Sequence, residues 1–99
     1  MAPQVTVGWS GPAAIHLEAA WEFIARDNPA AADELVDRIL DASDALGRYP
    51  LMGRAGQVRG TRELVIPSTP FILVYRIEQR QEITVLALFH GARQWPERF

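Results

Sequence analysis

The 99 residues are 48% apolar, carry ten arginines and no lysine against twelve carboxylates, and have a net charge of −2. That length makes one domain, 1–99, with a real core that is only marginally stable alone and would gain from a partner covering an apolar face. There is no cysteine, which excludes disulfides, thiol chemistry and a cysteine zinc site, no apolar run approaches the roughly 20 residues that span a bilayer, and MAPQVTVGWS lacks the basic and apolar regions of a signal peptide, so a cytoplasmic protein without membrane contact is expected.

The first element is a short strand over 4–9, where Val5, Val7 and Trp9 alternate with Gln4, Thr6 and Gly8. Ser10 is placed to cap a helix and Pro12 sits in its first turn, where a missing N–H costs nothing. The spacing predicts that helix over 13–27, with Ala13, Leu17, Ala20 and Ile24 on its apolar face and Trp21 and Phe23 widening it as core or hairpin packing. His16 shares the helix with Glu18 and Glu22. With no second histidine on that face it is not a metal motif and reads as solvent-facing. Asn28-Pro29 stops this helix and caps the next. A second helix over 29–46 follows, with Ala32, Leu35, Val36, Ile39, Ser43 and Leu46 as its stripe, Asp33, Asp37, Asp41 and Asp44 opposite, and Gly47 as terminator. So short a connection folds the two helices into an antiparallel hairpin.

Residues 47–60 have four glycines, one proline and no sustained period, and read as a loop. Pro50, Leu51 and Met52 are expected to tuck against the sheet, with Arg48, Arg54 and Arg59 solvated. Three β-rich runs then follow: 61–66, closed by Pro67 and Pro70, then 71–77 and 83–89, which is how consecutive antiparallel strands look. A charged connection over 78–82 joins the last two, and an irregular tail follows His90-Gly91. The expected fold is α+β, order β-α-α-β-β-β: an N-terminal strand and a helical hairpin packed on a three- to four-stranded, mainly antiparallel sheet.

The charge is divided along the chain. Residues 1–47 hold eight carboxylates against Arg26 and Arg38, a net −6, whereas 48–99 hold eight arginines against four glutamates, a net +4. An anionic partner would meet the second half, unless both halves are simply solvated faces. The candidate target- or partner-binding residues are Arg62, Arg76, His90, Arg93 and Trp95. His90 ends the last strand beside Gly91, which admits close approach. It could titrate as an acid or base or simply bond to its neighbouring loop. Arg93 contacts a partner or pairs with a hairpin carboxylate. Arg62 and Arg76 lie on neighbouring strands, where one could merely bridge to Glu63 or Glu78. Trp95-Pro96 offers an apolar element that either meets a partner or packs back on the sheet. Gly53, Gly56 and Gly60 precede a strand, not a helix, so no phosphate-binding loop is present, and no cofactor or metal is expected.

The residues resemble the ParE/RelE superfamily of bacterial type II toxins. The resemblance is carried by Asn28-Pro29 before Ala31-Ala32, by Tyr49-Pro50-Leu51-Met52-Gly53-Arg54, by Gly60-Thr61-Arg62-Glu63-Leu64-Val65, by Thr69-Pro70-Phe71-Ile72-Leu73-Val74-Tyr75-Arg76, and by His90-Gly91-Ala92-Arg93 before Trp95-Pro96. It implies a toxin neutralised by a cognate antitoxin, assembled as a homodimer or a toxin–antitoxin heterotetramer. Two functions occur in the superfamily. RelE-type members cut mRNA in the ribosome, and ParE-type members poison DNA gyrase. RNA cleavage without metal needs 2′-hydroxyl activation, phosphate charge stabilisation and leaving-group protonation. Aligned on Leu73-Val74-Tyr75, the RelE-type lysine positions fall at Glu63 and Val65, the strand arginine at Ile72 and the terminal tyrosine near Phe99. Only Arg93 matches. The departures favour a gyrase inhibitor acting by binding, not as an enzyme. The alternative is a ribosome-dependent, metal-independent endoribonuclease using His90 and Arg93, with His90 and Glu63 imitating a His–Glu pair.

Overall fold

In the computed structural model, which describes residues 6–79 and 82–91, the sequence signals for caps and turns act where they stand. Strand β1 (Val7–Trp9) leads directly into α1 (Gly11–Ala25). At the junction the Ser10 hydroxyl oxygen accepts the Ala13 N–H at 3.2 Å and the Ser10 N–H donates to the Val85 carbonyl at 2.9 Å. Asn28 Oδ1 likewise accepts the Ala31 N–H at 3.1 Å, starting α2 (Pro29–Leu46) with proline in its first turn. Four more strands follow: β2 (Arg54–Ala55), β3 (Arg62–Val65), β4 (Phe71–Ile77) and β5 (Ile83–His90).

The strands form one sheet in the order β1-β5-β4-β3-β2. β1 lies parallel to β5, with Val7 opposite Ile83 and Trp9 opposite Val85, whereas β2, β3, β4 and β5 pair antiparallel in succession. The expected α+β order holds, with one addition. β2 pairs Arg54 with Glu63 and Ala55 with Arg62, giving a fifth, two-residue strand inside the segment expected to be all loop. Two residues show no alternation, so no periodicity announces them.

The helical hairpin covers one sheet face. Ala13, Ile39, Leu46, Leu64, Leu73, Tyr75 and Val85 are buried there as one cluster. A register shift between Val74 and Tyr75 in the β4–β5 ladder puts an extra residue into β5. Val85 and Leu88 therefore both reach the helix-covered face, although their odd spacing would otherwise separate them. On the opposite face Val74, Leu86 and Ala87 form a smaller buried cluster. Trp9 ties β1 to α2 through its indole N–H, which donates to Ser43 Oγ at 3.0 Å.

Three packing expectations are corrected. Phe23 is 56% exposed and outside the core. Trp21, by contrast, takes the hairpin packing expected of it, joining the helices by donating its indole N–H to Asp33 Oδ1 at 2.9 Å. Leu51 and Met52 do not tuck against the sheet, being 70% and 45% exposed, because the bonds that hold their segment run from backbone carbonyls. His16 is half-buried, not solvent-facing. Among the described residues no helix is long and apolar enough to cross a membrane.

Candidate functional site

β5 outruns β1 by five residues, since pairing ends at Val85 and β5 continues to His90. That leaves the polar groups of its β1-side edge to α1. The Ser10 hydroxyl donates to the Leu86 carbonyl at 3.4 Å, and one turn and a half further along α1, His16 Nδ1 accepts the Leu88 N–H at 3.2 Å. The imidazole thus stands where a neighbouring strand's carbonyl would stand. This acceptor role fixes Nδ1 as unprotonated, and burial lowers the His16 pKa, because desolvation disfavours the cation.

Beyond His16 lies a groove of about 840 Å³ between α1, the first half of α2, the β3–β4 turn and the end of β5. Phe23, Phe71 and Leu88 give it an apolar floor, and Glu22, Arg26 and Arg38 give it a charged lip. Glu34 and Arg38 pair across one helical turn at 3.0 Å. His90 lines its far end, edge-on to Phe71 with ring centroids 5.6 Å apart and planes at 71°. The next residue closes the strand end, where the Gly91 N–H donates to the Pro70 carbonyl at 2.6 Å. A Cβ at Gly91 would approach that carbonyl at 3.1 Å, so the close approach expected there is to the protein's own turn.

The predicted basic set is dispersed. Arg62 lies opposite Tyr75 and Arg76 opposite Thr84, whereas His90 lies opposite Phe71, about 13 Å away along β4 at the usual strand rise. Successive side chains point to opposite faces, so Arg62 faces the helices' side and Arg76 the other. Arg76 pairs with Glu78 at 2.8 Å, and this guanidinium lowers the Glu78 pKa. Arg62 donates through Nη2 to the Leu51 carbonyl at 3.2 Å and to the Gly53 carbonyl. Both arginines therefore have structural partners. Arg93, Trp95 and Phe99 lie outside the described residues.

Glu63 does not form the His–Glu pair that the alternative reading needs. It is only 5% exposed, its carboxylate accepting from Arg54 Nη2 at 3.4 Å and from the Gln57 N–H at 3.1 Å. It does not meet His90: its strand partner is Val74, three residues from Phe71 on β4, which places it on the opposite face and about 10 Å along. The His–Glu pair needed for an acid–base couple is not assembled. Among the described residues no group of three or more His, Asp or Glu could hold a metal ion.

Sequence reasoning missed two organising residues. His16 carried no signal, because a helical histidine's partner on a distant strand is invisible to local spacing. Tyr75 carried one. Its hydroxyl donates to the Pro50 carbonyl at 2.6 Å and accepts the Gly53 N–H at 3.0 Å. A Cβ at Gly53 would stand 2.8 Å from that hydroxyl and 2.6 Å from the Glu63 carbonyl oxygen. A glycine and a strand tyrosine in two separate motifs were thus one contact.

Residues 7–95 match the family model described as ParE toxin of type II toxin-antitoxin system, parDE. The chain is 38% identical over 91 residues to "Putative toxin Y4kP" of Sinorhizobium fredii (strain NBRC 101917 / NGR234), covering 92% of this chain and 93% of that relative. Its fold is similar to a chain of the chromosomal ParDE TA system from P. aeruginosa, with TM-score 0.78 and 24% identity over 88% of this chain and 96% of the other. A chain of the toxin–antitoxin complex RelBE2 from Mycobacterium tuberculosis gives TM-score 0.61 and 23% identity over 89% and 99%.

Proposed function

Because this chain belongs to the ParE toxin family of type II toxin–antitoxin systems, we propose that it blocks replication by binding DNA gyrase in the cytoplasm, as a single domain over 1–99, and that a cognate antitoxin neutralises it. The observation that carries the target is the state of the sheet surface. Of the positions where RNA cleavage would need cations, Glu63 is buried in an ion pair and Val65 and Ile72 are apolar. Glu63 stands opposite Val74 and His90 opposite Phe71, so the two lie on opposite faces and about 10 Å apart along β4. A phosphorane forming over those positions would find no charge clamp, so inhibition by binding is the simpler activity. Arg93 and Trp95 remain proposed contacts beyond the last strand, with His90 at their root, and Arg62 and Arg76 act through the loops they hold.

The groove of about 840 Å³ under the helical hairpin is the proposed seat of an antitoxin segment, since an apolar floor with a mixed-charge lip suits an amphipathic helix or strand. That association takes the form of a toxin–antitoxin heterotetramer, with a toxin homodimer as the other assembly. The test is supercoiling of relaxed plasmid by purified gyrase. Added protein should reduce it in proportion to dose, and prior mixing with antitoxin should restore it. Undiminished supercoiling together with mRNA cuts in the ribosomal A site would overturn this reading in favour of the endoribonuclease.

A further inference from the structure

The segment joining α2 to β3 leaves its large side chains in water while its backbone is tightly held. Tyr49, Leu51, Met52 and Val58 are 63%, 70%, 45% and 42% exposed. Arg48, Arg54 and Arg59 on the same segment are also exposed, and residues 48–59 contain no carboxylate. Arg54 is drawn toward Glu63 at 3.4 Å, which leaves Arg48 and Arg59 as the outlying cations.

The backbone beneath is pinned from inside. The Tyr75 hydroxyl holds Pro50 and Gly53, Arg62 holds Leu51 and Gly53, the Gly56 N–H donates to the Thr61 carbonyl at 2.8 Å, and the Thr61 hydroxyl donates to the Val58 carbonyl at 2.6 Å. A loop free to move would fold its apolar side chains inward. Here the anchoring carbonyls face the sheet, so the side chains face out. Leaving large apolar side chains in water forgoes their burial, and that burial is regained when a partner covers them. The loop's ordering entropy is already spent, which favours tight docking.

We propose that residues 48–59 form the surface with which the toxin docks its protein target, and that the target presents an apolar pocket bordered by carboxylates. This rests on the reading of the chain as a toxin that acts by binding a protein. A protein is favoured over nucleic acid because three of the four exposed large side chains, Leu51, Met52 and Val58, offer neither a stacking plane nor a donor for phosphate. The surface also stands apart from the groove, at the Tyr75 end of β4, about 13 Å from the Phe71 end by strand rise.

Two full-length variants test it: Tyr49→Ser with Leu51→Ser and Met52→Ser, and Arg48→Glu with Arg59→Glu. All five side chains are exposed and none supplies the backbone anchors, so thermal stability and antitoxin affinity should stay at wild-type values and report intact folding. Each variant should need on the order of tenfold more protein for half-inhibition of supercoiling, and each should relieve growth arrest on expression. Unchanged potency overturns the proposal. So does a loss confined to the arginine variant and matched by lost duplex-DNA binding, or a change in self-association alone. If the wild type arrests growth but spares gyrase, the gyrase reading fails and the loop is judged on growth arrest: relief by both variants supports it, persistence overturns it. A wild type inert in both assays overturns both.

Discussion

Tyr75 anchors the 48–59 loop from within, because one hydroxyl satisfies two of its backbone groups beside the two carbonyls that Arg62 holds. Tyr75 is fully buried, so Tyr75→Phe strands both the Gly53 N–H and the Pro50 carbonyl. The expected cost is about 1–3 kcal/mol, read as a lower urea midpoint at unchanged slope. The second residue-scale prediction concerns His16. Its pKa is lowered by burial, so the unfolded chain takes up a proton more readily than the folded one. Stability from this group is complete above the ordinary imidazole value of about 6.5 and is lost as pH falls through it toward the folded value. Protonation also turns the acceptor facing the Leu88 N–H into a donor. His16→Asn, whose amide oxygen can accept the same N–H without titrating, should flatten the melting-temperature profile between about pH 7 and pH 5. A profile as steep as that of the wild type would assign the acid sensitivity to other groups.

At the scale of elements, what the sequence disclosed and what it hid divide by range. Caps, turns and helical stripes are local chemistry, and Ser10, Asn28 and the buried stripe of Ala32, Ile39, Ser43 and Leu46 stand as their spacing indicated. The parallel pairing of β1 with β5 joins residues more than seventy positions apart and leaves no mark on either strand's alternation. The bulge that brings Val85 and Leu88 to one face was equally hidden, because a shift of one residue is a property of two strands, not one. The Asn28 cap can be measured separately from all of this. Asn28→Ala removes the acceptor for the Ala31 N–H and should cost about 1 kcal/mol, seen in thermal unfolding together with faster amide exchange over the first turn of α2.

For the molecule as a whole, the site was less legible than the fold. Composition divided the chain into an acidic and a basic half, yet it could not say that Arg62 and Arg76 face opposite sides of the sheet, that Glu63 is buried, or that Glu22, Arg26 and Arg38 meet as the lip of a groove. Those depend on register, and register is not written in any one segment. The architecture that results has two separable surfaces: the groove bounded by α1, α2 and the end of β5, and the outward loop over Tyr75. If one serves the antitoxin and the other the target, damage to each should be independent, since sites with no shared partner are additive. Ala19 tests the groove side. It lines the groove and is exposed on α1, and arginine is nearly as good a helix former as alanine, so Ala19→Arg fills the groove without touching the core. Antitoxin affinity, measured by calorimetry, should fall on the order of tenfold or more, while supercoiling inhibition by the same preparation should match the wild type. Wild-type antitoxin affinity in this variant would remove the groove from the antitoxin's path. Equal loss of both activities would mean that the two partners share one surface, and that neutralisation works by direct occlusion of the target-binding face.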